Sequence, residues 1–140
     1  MLLSAIMVAF LVHGCSAPCS HEEVARIKSP DGKVDGVHVR GNCGATTPFS
    51  EHVFIVPTGD KTPELKGDYQ LFLADHVSGL KLAWRESKVL EIHYEEARIF
   101  RFSNFWQSKN VDNFSYVVEV RLAPSKTDFS LSKRDRWLEK

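Results

Sequence analysis

Cys43 is the residue whose surroundings hold the most chemistry. It lies in Gly41-Asn42-Cys43-Gly44-Ala45-Thr46-Thr47, a loop of small residues, with His38 and His52 close in sequence. A thiol becomes a nucleophile when its pKa is depressed and a base stands beside it. Either histidine is a candidate base. The competing reading is structural: Cys43 pairs with Cys19, and the glycines permit a tight turn. An exported lone thiol tends to oxidise, which favours the pair. Asn42, Gly44, Thr46 and Thr47 form a candidate binding loop in which the threonines offer hydroxyls to a ligand. Hydroxyls that satisfy the loop's own backbone are the more ordinary outcome.

Other reactive groups give weaker signals. Of the six histidines, none falls at an H-x-H or H-E-x-x-H spacing, the spacing that points two imidazoles at one metal. His93 with Glu95 and Glu96 is the nearest cluster, so neither a metal nor another cofactor is expected. Glu22 and Glu23, like Glu95 and Glu96, are adjacent carboxylates. On a strand they point to opposite faces and make poor acid–base partners. There is no Gly-rich phosphate loop, no G-x-S-x-G elbow and no dinucleotide fingerprint. Phe100, Phe102, Phe105 and Trp106 form an aromatic cluster suited to sugar or peptide, although most of it is expected in the core. Phe105 and Trp106 are neighbours, so in extended chain both cannot face inward. They mark a candidate exposed patch.

The elements that would position these residues are strands. Val24–Lys28 and Val34–Arg40 flank Ser29-Pro30-Asp31-Gly32-Lys33, where Pro30 pre-sets one φ and Gly32 supplies a positive one. That reads as a hairpin, with Val37 and Val39 on one face and His38 and Arg40 on the other. Val53–Val56 is wholly apolar and suits a central strand. Thr58–Asp68 reads as a surface loop. Tyr69, Leu71 and Leu73 alternate with polar Gln70. Leu80, Leu82 and Trp84, then Leu90, Ile92 and Tyr94, read as a second hairpin around Arg85–Lys88. Phe100 and Phe102 alternate, and Tyr116, Val118, Val120 and Leu122 give the clearest period of two. The fold class is therefore mainly β: a small antiparallel β-sandwich or curved sheet in one domain over 24–140. Room for a short helix exists only in the last dozen residues, 129–140.

The first fourteen residues carry no charged side chain and are mostly apolar. A membrane-spanning helix needs about 20 such residues. The stretch is too short for that and fits the apolar core of a signal peptide, 1–14. Val12-His13-Gly14-Cys15 resembles the bacterial lipobox. His13 stands where that pattern prefers a small residue, and no Lys or Arg precedes the apolar run. The resemblance implies cleavage after Gly14, a lipid (palmitate among its acyl chains) on Cys15, and a polar leader over 15–23. Ser16 after the lipidated cysteine is compatible with sorting to an outer membrane, if the host has one. With Cys15 taken by lipid, Cys19 and Cys43 remain as an even pair for an oxidising compartment.

Charge narrows the partners. Eighteen basic residues balance eighteen acidic ones. Nucleic-acid binding through phosphates needs a clustered positive surface, so that class is set aside. The membrane contact expected is the lipid anchor, and the further partner is a protein or an envelope component.

The Ser29–Lys33 turn followed by Asn42-Cys43-Gly44-Ala45-Thr46-Thr47 and an apolar strand resembles a family of small uncharacterised bacterial proteins. Members share an SPDG turn and a CGATT-type loop, and many carry an export signal. The resemblance covers roughly 19–57 and implies export without implying an activity. The reading that follows is a non-enzymatic envelope lipoprotein, exported and lipid-anchored, with a small β domain that binds a protein or envelope component. One alternative is a hydrolase using a cleft at the Cys43–Thr47 loop. Another is an immunity or inhibitor protein against an envelope-targeted toxin.

Overall fold

The computed structural model describes residues 19–66 and 69–125. The signal peptide expected over 1–14, the lipid site Cys15 and the helix expected over 129–140 lie outside the described residues. Among the described residues, nine strands form two sheets. In chain order they are β1 Ser20–Lys28, β2 Val34–Asn42, β3 Ser50–Pro57, β4 Phe72–Ser78, β5 Lys81–Glu86, β6 Val89–Tyr94, β7 Glu96–Phe102, β8 Phe105–Trp106 and β9 Val118–Pro124. The first sheet runs β1-β2-β3-β4-β7 and the second β5-β6-β9-β8. The expected mainly β sandwich is therefore present. One pair departs from the antiparallel expectation: β9 lies parallel to β6, Val89 opposite Glu119. Strand β1 also takes in Ser20–Glu23, which composition had put in the polar leader.

Both expected hairpins form. The β1–β2 turn is closed by the Gly32 N–H donating to the Ser29 carbonyl, with Gly32 at φ 74°. β5 and β6 pair from Lys81 opposite His93 to Glu86 opposite Val89. This second hairpin is longer than its alternation suggested. β4 runs into β5 at Gly79, β6 runs into β7 at Glu95, and β4 pairs with β7. One ribbon, 72–86 against 89–102, thus bends and contributes an arm to each sheet. Strands that switch sheets need a bend or bulge to turn the corner. Here it is a register shift between Asp75 and Ser78, with His76 at φ 50° and Gly79 at φ 66°.

The core lies between the sheets. Val34, Val53, Ile55, Phe72 and Ala74 meet Leu90, Ile92, Trp106, Val118 and Val120, all buried. A smaller cluster lies on the outer face of the first sheet, where Leu65 covers Val37, Val39 and Phe54. Both faces of β2 and β3 are thereby buried, which is why β3 reads as a continuous apolar run. Between β8 and β9, Asp112, Asn113 and Phe114 all have positive φ, at 49°, 47° and 69°. Such conformations cost roughly 1–2 kcal/mol each outside glycine. The Phe114 N–H donates to the Ser108 carbonyl, and Lys33 pairs with Asp112, holding the turn.

Candidate functional site

The loop at 42–49 is pinned rather than reactive. Cys19 and Cys43 are joined by a disulfide at the open end of the β1–β2 ladder, just beyond Ser20 opposite Asn42. The thiol-nucleophile reading of Cys43 is thereby corrected, because no thiolate remains to attack. Its two candidate bases are also engaged. His38 Nε2 lies 2.5 Å from Glu51 Oε2, and His52 Nε2 lies 2.8 Å from Ser50 Oγ. Both histidines are buried.

The loop closes on itself as an Asx turn. Asn42 Oδ1 accepts from the Gly44 N–H (3.0 Å), and the Gly44 carbonyl accepts from the Thr47 N–H (3.2 Å). Gly44 has φ 110°, a conformation suited to glycine. The backbone and Asn42, not the threonine hydroxyls, do this work. Thr46 and Thr47 are exposed.

Beside the loop, Ser20, His21, Glu22, Arg40, Asn42 and Phe49 line a groove of about 370 Å³. Arg40 links it to a buried charge cluster. Its Nε donates to Glu51 Oε1 (2.7 Å), while Glu51 Oε2 faces His38. Burial pushes the Glu51 carboxyl up, but the hydrogen bonds from His38 and Arg40 outweigh it and hold the group below the usual carboxylate range. Burial holds the His52 imidazole below its ordinary value, which favours the neutral ring. The Arg40 guanidinium also stacks over the Phe49 ring, 5.5 Å from its centroid. The cluster can orient Arg40 toward a polar ligand in the groove. His38 is too deeply buried to meet one.

The aromatic residues fall differently from the expectation. Trp106 is buried, but Phe100, Phe102 and Phe105 are exposed, at 59%, 37% and 49%. The core expectation for most of the cluster is corrected. On β7 the residues packed against the core are Ala97 and Ile99, while Phe100 is the extra residue where the register with β4 shifts. Phe105 and Trp106 do divide as alternation requires, one out and one in. Phe100 is stacked by Arg98, which itself pairs with Asp75.

A larger cleft of about 490 Å³ lies along β3, opposite Tyr69 and Trp106, with Lys61 and Lys66 in its lining. The sequence offered no signal for it, because Lys61 and Lys66 belong to a segment with no periodicity. The His93 ring N–H donates to Glu91 Oε2 (2.9 Å) on the outer face of the second sheet. Among the described residues no group of His, Cys, Asp and Glu could hold a metal. Nor is any described helix long and apolar enough to cross a membrane.

No protein-family model, curated protein or solved structure matches the chain.

Proposed function

We propose that this protein is an envelope lipoprotein, anchored by a lipid on Cys15, whose β-sandwich binds another protein or an envelope component without catalysing a reaction. The observation that carries the reading is the disulfide between Cys19 and Cys43. Such bridges persist in oxidising compartments, in keeping with the apolar segment 1–14 and the lipobox-like Val12-His13-Gly14-Cys15. The bridge also ties the chain to the first sheet four residues after Cys15. That link spans about 14 Å at most, so the end of the sandwich carrying the 42–49 loop lies nearest the lipid.

The test is mass spectrometry, without reduction, on protein purified from its own host's membranes. A mature chain beginning at lipid-modified Cys15, with Cys19 joined to Cys43, is the expected result. An unlipidated chain found in the soluble fraction would overturn the proposal.

A further inference from the structure

The ladder of the first sheet is incomplete at its centre. β3 pairs with β2 along its whole length, from Val34 opposite Pro57 to Gly41 opposite Ser50. On its other side β4 pairs only with Ser50–Val53. The last bond on that side runs from the Leu71 N–H to the Val53 carbonyl, 2.9 Å. Among the described residues, Phe54–Pro57 have no strand there. Backbone groups alternate sides along an antiparallel strand. Val53 turns its carbonyl to the β4 side, so Ile55 turns its N–H and C=O the same way, into the 490 Å³ cleft.

We propose that this open edge is a docking site for an extended segment of a partner protein, which adds a strand beside β3. The proposal rests on the binding reading above and names the site and partner class. An unpaired strand edge is a template for another chain: backbone hydrogen bonds supply affinity, and pockets for alternate side chains supply selectivity. The cleft is of ordinary ligand-pocket size and has an apolar wall, Trp106 and Tyr69. Tyr69 is 67% exposed, an aromatic with an unfilled contact face. Lys61 and Lys66 line the cleft and suit a carboxylate on the incoming segment. Asp60 and Glu64 share the wall, so charge sets orientation more than affinity. A second copy cannot pair its β3 with this one, because each β3 edge is recessed in its own cleft.

Hydrogen exchange on the full-length protein, followed by NMR, reads the edge directly. The Ile55 amide is expected to exchange faster than those of Phe54 and Val56, which point to β2. An Ile55 amide as slow as its neighbours means the edge is already covered, and the proposal fails. Protection that grows with protein concentration alone overturns it in favour of self-association. A displayed library of random heptapeptides then supplies the probe. Selected peptides are expected to protect Ile55 and to lose about twofold to tenfold in affinity with Tyr69→Ala, but not with Phe49→Ala in the other groove. A library that yields no binder, or binders that shift only residues around Arg40 and Phe49, overturns this site. The latter result leaves the broader binding reading standing.

Discussion

The hydroxyl of Tyr116 donates to Asp31 Oδ2 at 2.8 Å across 85 residues of chain. The same proton is shared with the Ser87 carbonyl at 2.9 Å, so one side chain fastens the β1–β2 turn to the β5–β6 turn. Lys33 and Lys88 stand over its ring, 5.3 and 4.8 Å from the centroid. Tyr116→Phe should therefore lower unfolding free energy by about 1–2 kcal/mol in a urea titration. Asp31→Asn should cost less, because the Ser87 carbonyl still accepts. Equal, negligible losses from both would mean the turns are not coupled through this residue.

Burial, reinforced by Asp31, pushes the Tyr116 hydroxyl up to about 12 from 10.0. A raised acid keeps its proton in the fold longer than in the unfolded chain. The stability it contributes is whole below pH 10 and disappears as pH rises through 12. Tyrosinate absorbance in an alkaline titration should show one late-titrating tyrosine, absent in Tyr116→Phe.

At the acid end the sign reverses. The hydrogen bond from Arg98 holds the Asp75 carboxyl at about 2, below its ordinary 3.8. Glu51 is lowered by His38 and Arg40 despite burial. Depressed carboxyls contribute stability above their unfolded values and lose it as pH falls through the folded ones. Stability should hold to near pH 4 and fall toward pH 2. Glu51→Gln should cost about 2–4 kcal/mol even at neutral pH, since it breaks a buried, hydrogen-bonded charge cluster. A change under about 0.5 kcal/mol would place that cluster in solvent.

Breaking the disulfide should be expensive for its size. Cys19 and Cys43 are 24 residues apart, and chain entropy assigns such a loop about 3 kcal/mol. Cys19→Ser with Cys43→Ser should lower the midpoint of thermal unfolding and raise amide exchange first in Ser20–Glu23, the strand end it closes. Unchanged exchange there would show that pairing with β2 suffices.

Gly41 lies within β2 but has no room for a side chain. A Cβ there would strike Ser50 Oγ and come within 2.9 Å of Leu65 Cδ1. Gly41→Ala should destabilise by about 1–3 kcal/mol through overpacking. Adding Leu65→Ala should recover part of that loss, because Leu65 is one of the two atoms' owners in the way. No recovery would place the strain on Ser50 alone.

The local pattern by itself determined the hairpins and the outlines of most strands. Val37 and Val39 against His38 and Arg40, or Val118 and Val120 against Glu119 and Arg121, encode strand and face together, since side chains alternate with period two. Ser29-Pro30-Asp31-Gly32 encodes its turn through the φ values that Pro and Gly prefer. The pairing of Cys19 with Cys43 was an expectation that rested on the lipobox resemblance assigning Cys15 to a lipid, and the disulfide is present. Tertiary structure decided the rest. Which strands neighbour one another, and that β9 runs parallel to β6, depends on contacts between segments far apart in the chain. Phe100 and Phe102 are as apolar as core residues, yet on β7 it is Ala97 and Ile99 that pack on the core, and Phe100 falls at the register shift with β4. The buried pair His38 and Glu51, reached by half-buried Arg40, could not be foreseen either: burial of a charge is tolerated when partners arrive from another strand. The open edge of β3 is the same kind of fact. Val53–Val56 looks uniform in sequence, and it is the departure of β4 after Val53 that divides a paired half from an unpaired one.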